Sequence, residues 1–196
     1  MNFWQKLKLN RIRKKVQRVH ELREQRNKAE DIQNEIKLQY QLAEFYDKHR
    51  FDKKLPHAEI YALECYRINA ALGDRKAQYI CGQRLLEQGK FWDAWSRNPI
   101  YGATANKKYA ANFYEEALAY LKMAEEGEYP LAKRLLGLIY VHGWGVPADM
   151  DKGFKLVLES IDQEQAWDRA TKILEDLKLN SPAFFAALRS YKGQGS

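Results

Sequence analysis

The stretch 131–154, LAKRLLGLIYVHGWGVPADMDKGF, restricts the fold more than any other part of this chain. Ala132, Leu136, Gly137 and Tyr140 recur at helical spacing and share one face. Gly143, Gly145, Val146 and Pro147 then break the pattern, and Asp149 stands where the cap of a second helix belongs. Ala132 and Gly137 carry almost no side chain, so a neighbouring helix can approach closely. The expectation is a pair of helices joined by a glycine-pinned turn.

Weaker copies of this unit lie upstream. Ala62 to Gly73 reads as the second helix of one unit, and Ala77 opens the next. Cys81 and Gly82 occupy the Leu136 and Gly137 places there, and Leu85 the Tyr140 place. Ala62 to Ala77 and Ala117 to Ala132 are both intervals of 15 residues, as stacked hairpins require. Residues 38–49 fit half of an earlier unit, with Leu42, Ala43 and Tyr46 in register and His49 where glycine is usual.

The run A-x-x-x-L-G-x-x-Y-x-x-G-x-G-V-x-x-D-x-x-K from Ala132 to Lys152 resembles the Sel-one-like repeat, an α/α repeat related to the tetratricopeptide repeat. Gly153 departs from it, since the family places alanine there. The resemblance spans about residues 38–162. It implies an all-α, right-handed superhelical solenoid of about three to four α/α hairpins. It also implies a scaffold that binds protein and performs no chemistry.

The chain divides into a basic amphipathic helix at 1–28, a repeat solenoid at 29–192 and a disordered tail at 193–196. Within the solenoid, 89–106 forms an aromatic-rich insertion. Gln88 to Ala117 spans 29 positions where Gly143 to Gly153 spans 10. Part of this surplus fits a lengthened helix, because Ala110, Ala117 and Ala124 recur every seven residues. The remainder reads as a loop of about a dozen residues bearing Phe91, Trp92, Trp95, Pro99 and Tyr101. That loop either folds back over the repeat or presents Trp92, Trp95 and Tyr101 to a partner. Farther on, 164–178 reads as one helix, and Ser181 with Pro182 caps a last one, PAFFAALRSY.

Charge is concentrated at the start. Residues 1–28 hold ten Lys and Arg against Glu21 and Glu24, while the remaining residues hold 23 basic and 24 acidic side chains. A near-neutral body argues against nucleic acid as its ligand. In the first helix Leu9, Ile12, Val16 and Val19 form a narrow apolar stripe, and Phe3, Trp4 and Leu7 a bulky tip. The stripe can enter a partner's groove through Ile12, Val16 and Val19, with Trp4 beside them. Alternatively, the tip inserts into a bilayer while Lys8, Arg11, Lys14, Lys15 and Arg18 meet anionic lipid or an acidic partner. The same charges could meet nucleic-acid phosphates, or the stripe could simply pack on the first repeat.

Catalytic signals are lacking in the sequence. His20, His49, His57 and His142 form no pair at metal-ligand spacing, and Gly143-Trp144-Gly145 is explained by the turn. Cys65 and Cys81 read as buried thiols on successive helices, with a disulfide as the alternative. No cofactor, metal or small-molecule substrate is implied. No run of 18 apolar residues occurs, and no secretory signal pattern opens the chain, so the expected address is cytoplasmic, with the cytoplasmic face of a membrane as a variant. The expected role is a non-enzymatic adaptor or scaffold within a larger complex, such as a membrane-associated, bacterial secretion-type assembly. The alternatives are a peripheral lipid-binding protein and the regulatory subunit of an enzyme.

Overall fold

The computed structural model describes residues 1–98, 100, 103–179 and 181–193. Among them every regular element is helical: α1 (Phe3–Arg26), α2 (Ala29–Lys48), α3 (Ala58–Ala71), α4 (Arg75–Ser96), α5 (Ala103–Glu126), α6 (Pro130–His142), α7 (Met150–Gln163), α8 (Ala170–Asp176) and α9 (Pro182–Gly193). The all-α architecture of helical hairpins expected from the sequence is the one observed. Of the expected tail, Gly193 closes α9 and residues 194–196 lie outside the described residues.

Helix limits follow local chemistry. Asn2 caps α1 by accepting from the Gln5 amide at 2.9 Å, while the Gln5 side chain accepts from the Asn2 amide at 2.6 Å. Asp74 caps α4, accepting from the Ala77 amide at 2.6 Å. Pro130 opens α6, where a missing N–H costs nothing, and Gly143 ends it in the left-handed region at φ 68°. Asp149 then accepts from the Lys152 amide at 3.0 Å and starts α7.

The chain forms two packing units, Met1–Cys81 and Gly82–Ser196. In the first, α1 packs on α2 and α2 on α3. Ile36, Leu42, Ala43 and Tyr46 are buried on α2, and Ala62, Cys65 and Ala70 on α3. Ile32 and Tyr40, also on α2, are half-buried. Polar groups share this interior. Glu35 and Asn69 are fully buried and Gln39 nearly so, and the Asn69 side-chain amide donates to the Ile36 carbonyl at 3.0 Å.

In the second unit α5 packs on α6, α6 on α7 and α7 on α9. Val157, Leu158 and Ile161 of α7 meet Ala166, Leu174 and Phe184 in one cluster, each fully buried or nearly so. Burial of each large apolar side chain contributes about 1.5–3 kcal/mol. The single helix expected over 164–178 is broken. Gln165 sits at φ 52°, and a 3₁₀ turn, Trp167–Arg169, precedes α8. The reason is local: the Ala166 amide bonds back to the Ile161 carbonyl at 2.9 Å, and the Trp167 indole N–H donates to Asp162 at 2.9 Å.

A second correction concerns the surplus of the middle hairpin. It is helix at both ends, not a loop of a dozen residues. Helices α4 and α5 hold 22 and 24 residues against 13 and 14 in α6 and α7. Six positions, 97–102, separate α4 from α5, and seven, 143–149, separate α6 from α7. Phe91, Trp92 and Trp95 therefore stand on the last turns of α4.

Candidate interaction surfaces

The repeat residues determine how closely helices approach. A Cβ added to Gly137 would lie 2.7 Å from the Gly153 carbonyl oxygen and 2.7 Å from Val157 Cγ2. One added to Gly153 would lie 2.7 Å from the Gly137 carbonyl oxygen. Gly153, the position that departs from the alanine of the pattern, thus completes a glycine-to-glycine contact. Ala132 and Leu136 are buried on the same face, and Tyr140 is half-buried beneath the Lys152 ammonium, 3.9 Å from its ring centre. Gly145, at φ 71°, lies against Tyr114, whose Cβ would be 2.4 Å from an added Cβ. The middle hairpin repeats the scheme: a Cβ on Gly82 would meet Leu121 at 2.5 Å and the Ala117 carbonyl at 3.1 Å. The structure is consistent with a Sel-one-like repeat protein.

No family model matches the chain, and no curated protein matches it. Among solved structures it is similar to c5321, a protective antigen present in uropathogenic Escherichia coli strains displaying an SLR fold. The identity is 20%, covering 84% of this chain and 39% of that one, with a TM-score of 0.30. The chain spans about two fifths of that protein's length.

The most conspicuous surface is aromatic. On the last turns of α4, Phe91 and Trp95 are 50% and 40% exposed, with ring centres 5.8 Å apart. Trp92 turns inward, half-buried, and tilts on Tyr109 of α5 at 5.1 Å. Tyr109 and Ile100 are also exposed. Trp92 thus packs on the hairpin, whereas Trp95 is exposed. Tyr101 lies outside the described residues. The α4 extension also carries Lys90, whose ammonium sits 3.3 Å from the ring centre of Trp144. Burial pulls the Lys90 pKa down. His142 stacks on the same indole at 4.4 Å, and its pKa is lowered by burial and by Lys90.

The N-terminal helix lies against its own unit. Leu9 is buried, and Ile12, Val16 and Val19 are half-buried. The Arg13 guanidinium donates to the Tyr46 hydroxyl at 2.6 and 2.9 Å. Arg23 forms an ion pair with fully buried Glu35 at 2.5 Å, and His20 approaches the same carboxylate at 3.0 Å. The stripe offered for a partner's groove is therefore partly engaged within the chain. Val16 also lines a groove of about 410 Å³ with Arg13, His20, Leu42 and Ile68. Lys8, Arg11, Lys14, Lys15 and Arg18 are exposed, as is Trp4.

Sequence reasoning missed Glu35. Its signal was a carboxylate on the inward face of α2 beside Ile32, Ile36 and Gln39, with Arg23 one helix earlier. Cys65 and Cys81 are both buried, and burial raises the Cys65 pKa to about 12. Among the described residues no group of three or more His, Cys, Asp or Glu side chains is disposed to hold a metal ion, and no helix is long and apolar enough to cross a membrane.

Proposed function

We propose that this protein is a non-enzymatic protein–protein interaction scaffold, an adaptor or subunit of a larger complex, whose partner sits on the outer aromatic face of the α4–α5 hairpin. One observation carries this reading: Phe91, Trp95, Tyr109 and Ile100 stand exposed together at the end of two extended helices. Helices fix these rings more rigidly than a loop would, so little conformational entropy is lost on binding. Aromatic side chains so placed are the usual anchors of interfaces. The repeat base, closed by Gly137 on Gly153 and by Gly82 near Ala117, supports the hairpin without contributing chemistry.

The test is affinity capture from the native host, read by mass spectrometry, with the full chain beside Phe91→Ala/Trp95→Ala. The expected result is a defined protein set lost in the double variant while its unfolding midpoint stays within a few degrees of the parent. A set that survives the substitutions would move recognition to another surface. The absence of any enriched protein from the parent sample would defeat the scaffold reading.

A further inference from the structure

A different surface, in the first unit, is assembled from two segments far apart in sequence. The Met1 α-ammonium pairs with Asp52, which brings the turn 49–57 beside the start of α1. Three large rings stand there, largely in solvent: Phe3 at 71%, Trp4 at 73% and Phe51 at 82% exposure. Phe3 and Trp4 meet edge to face at 5.6 Å, and the Arg50 guanidinium caps Phe51 at 4.6 Å. Exposed Lys6, Lys8, Arg50, Lys53 and Lys54 lie within four positions of one or another of these rings. Asp52 is the one acid within 1–18 and 48–54, and its charge is already matched by the α-ammonium.

We infer that this end of the first unit is a contact site for an anionic lipid surface, met end-on by Phe3, Trp4 and Phe51. Charge complementarity selects the partner: a dense basic field with no free acid attracts an anionic plane. The rings favour a lipid surface, since Trp belongs at the headgroup level of a bilayer and Phe on the inserting face of an interfacial segment. A flat-lying amphipathic helix is not the mode. Its inserting stripe would be Leu9, Ile12, Val16 and Val19, which α1 turns toward α2, with Leu9 buried and the other three half-buried. The tip and the 50–54 turn are the parts left to insert, so Phe51 belongs to the site although it lies 47 positions beyond Trp4. The site is independent of the aromatic face of α4–α5, and it would hold the chain at the anionic face of a membrane.

The test is co-sedimentation of the full chain with vesicles of phosphatidylcholine alone and of phosphatidylcholine with 30% phosphatidylserine, at about 0.1 M salt. Binding to the anionic vesicles only is expected. Phe51→Ser should weaken it several-fold and Trp4→Ala/Phe51→Ser at least tenfold. Lys53→Glu/Lys54→Glu should weaken it tenfold or more, each basic residue contributing about fivefold near such a surface. All these side chains are exposed, so helicity by circular dichroism should be unchanged. Two results would overturn the inference. One is failure of the parent to bind anionic vesicles. The other is binding that responds to the charge variant but not to Phe51→Ser, and that single-stranded DNA competes away mass for mass, which would mark a general polyanion surface.

Discussion

The hairpins α4–α5 and α6–α7 share a base and differ in their ends. In both, a glycine of the first helix lies against the second: Gly137 against Gly153 and Val157, Gly82 against Ala117 and Leu121. At α6–α7 two backbones touch, and the turn closes at once through Gly143 and Gly145. At α4–α5 a leucine side chain fills the gap, and both helices run on past the place where the shorter pair stops. Residues added to a repeat hairpin need not make a loop. Extending both helices keeps every added backbone group hydrogen-bonded, and it carries aromatic side chains outward on a stiff support.

Glycine substitutions should break the likeness most. Gly137→Ala places a methyl 2.7 Å from a backbone oxygen that cannot turn aside, so a loss of about 2–3 kcal/mol is expected by urea denaturation. Gly82→Ala first meets Leu121 at Cγ, a side-chain atom that must shift within the core where the oxygen facing Gly137 cannot shift at all, and it gains about 1 kcal/mol of helix propensity. Its net effect should lie within about 1 kcal/mol of zero. Equal costs at the two sites would show that the α4–α5 contact is as rigid as its neighbour. Next in size is Gly145→Ala, which combines a left-handed backbone with contact against Tyr114 and should cost about 2 kcal/mol.

Smaller differences are expected along the α4 extension. Trp92→Ala removes a half-buried ring from Tyr109 and should cost about 1–2 kcal/mol, whereas Trp95→Ala should cost under about 1 kcal/mol. Hydrogen exchange offers a complementary measure. Amides of residues 90–96 should be protected as helix, where a loop would exchange at once.

How much of this was legible in the sequence depends on how each element is specified. The α6–α7 hairpin was readable residue by residue, because its turn needs Gly143 and Gly145 at positive φ and its cap needs Asp149. The length of α4 was not readable that way, since the register taken from the shorter unit put a turn at Gln88. A local signal was nonetheless present: Phe91, Trp92 and Trp95 at helical spacing, with no breaker between Phe91 and Asn98. The break at Gln165 had no such mark, because a left-handed glutamine is fixed by the packing of Ala166 and Trp167, not by its own preference. For the aromatic surface, the sequence named Trp92 and Trp95 together, and only packing on Tyr109 separates the ring that holds the hairpin from the ring that faces out.

The finest difference between the two hairpins is a proton. The α6–α7 turn carries His142, stacked on Trp144 with the Lys90 ammonium close to the same indole. Burial, and then the positive charge of Lys90, lower the His142 pKa. A base with a depressed folded pKa binds fewer protons in the native state than in the unfolded one. Its neutral form therefore supports the fold fully above the unfolded value of about 6.5, and that support is lost as pH falls through this value toward the folded one. Because the imidazole is exposed, solvent screening keeps the effect smaller than any of the packing changes above. Denaturation midpoints taken between about pH 7.5 and 5 should fall slightly more steeply for the parent than for His142→Gln. Lys90→Met should flatten the same slope by removing the charge that opposes protonation. A parent slope equal to that of His142→Gln would mean that the stack tolerates the imidazolium, and that Trp144 accepts a second cation as readily as it accepts Lys90.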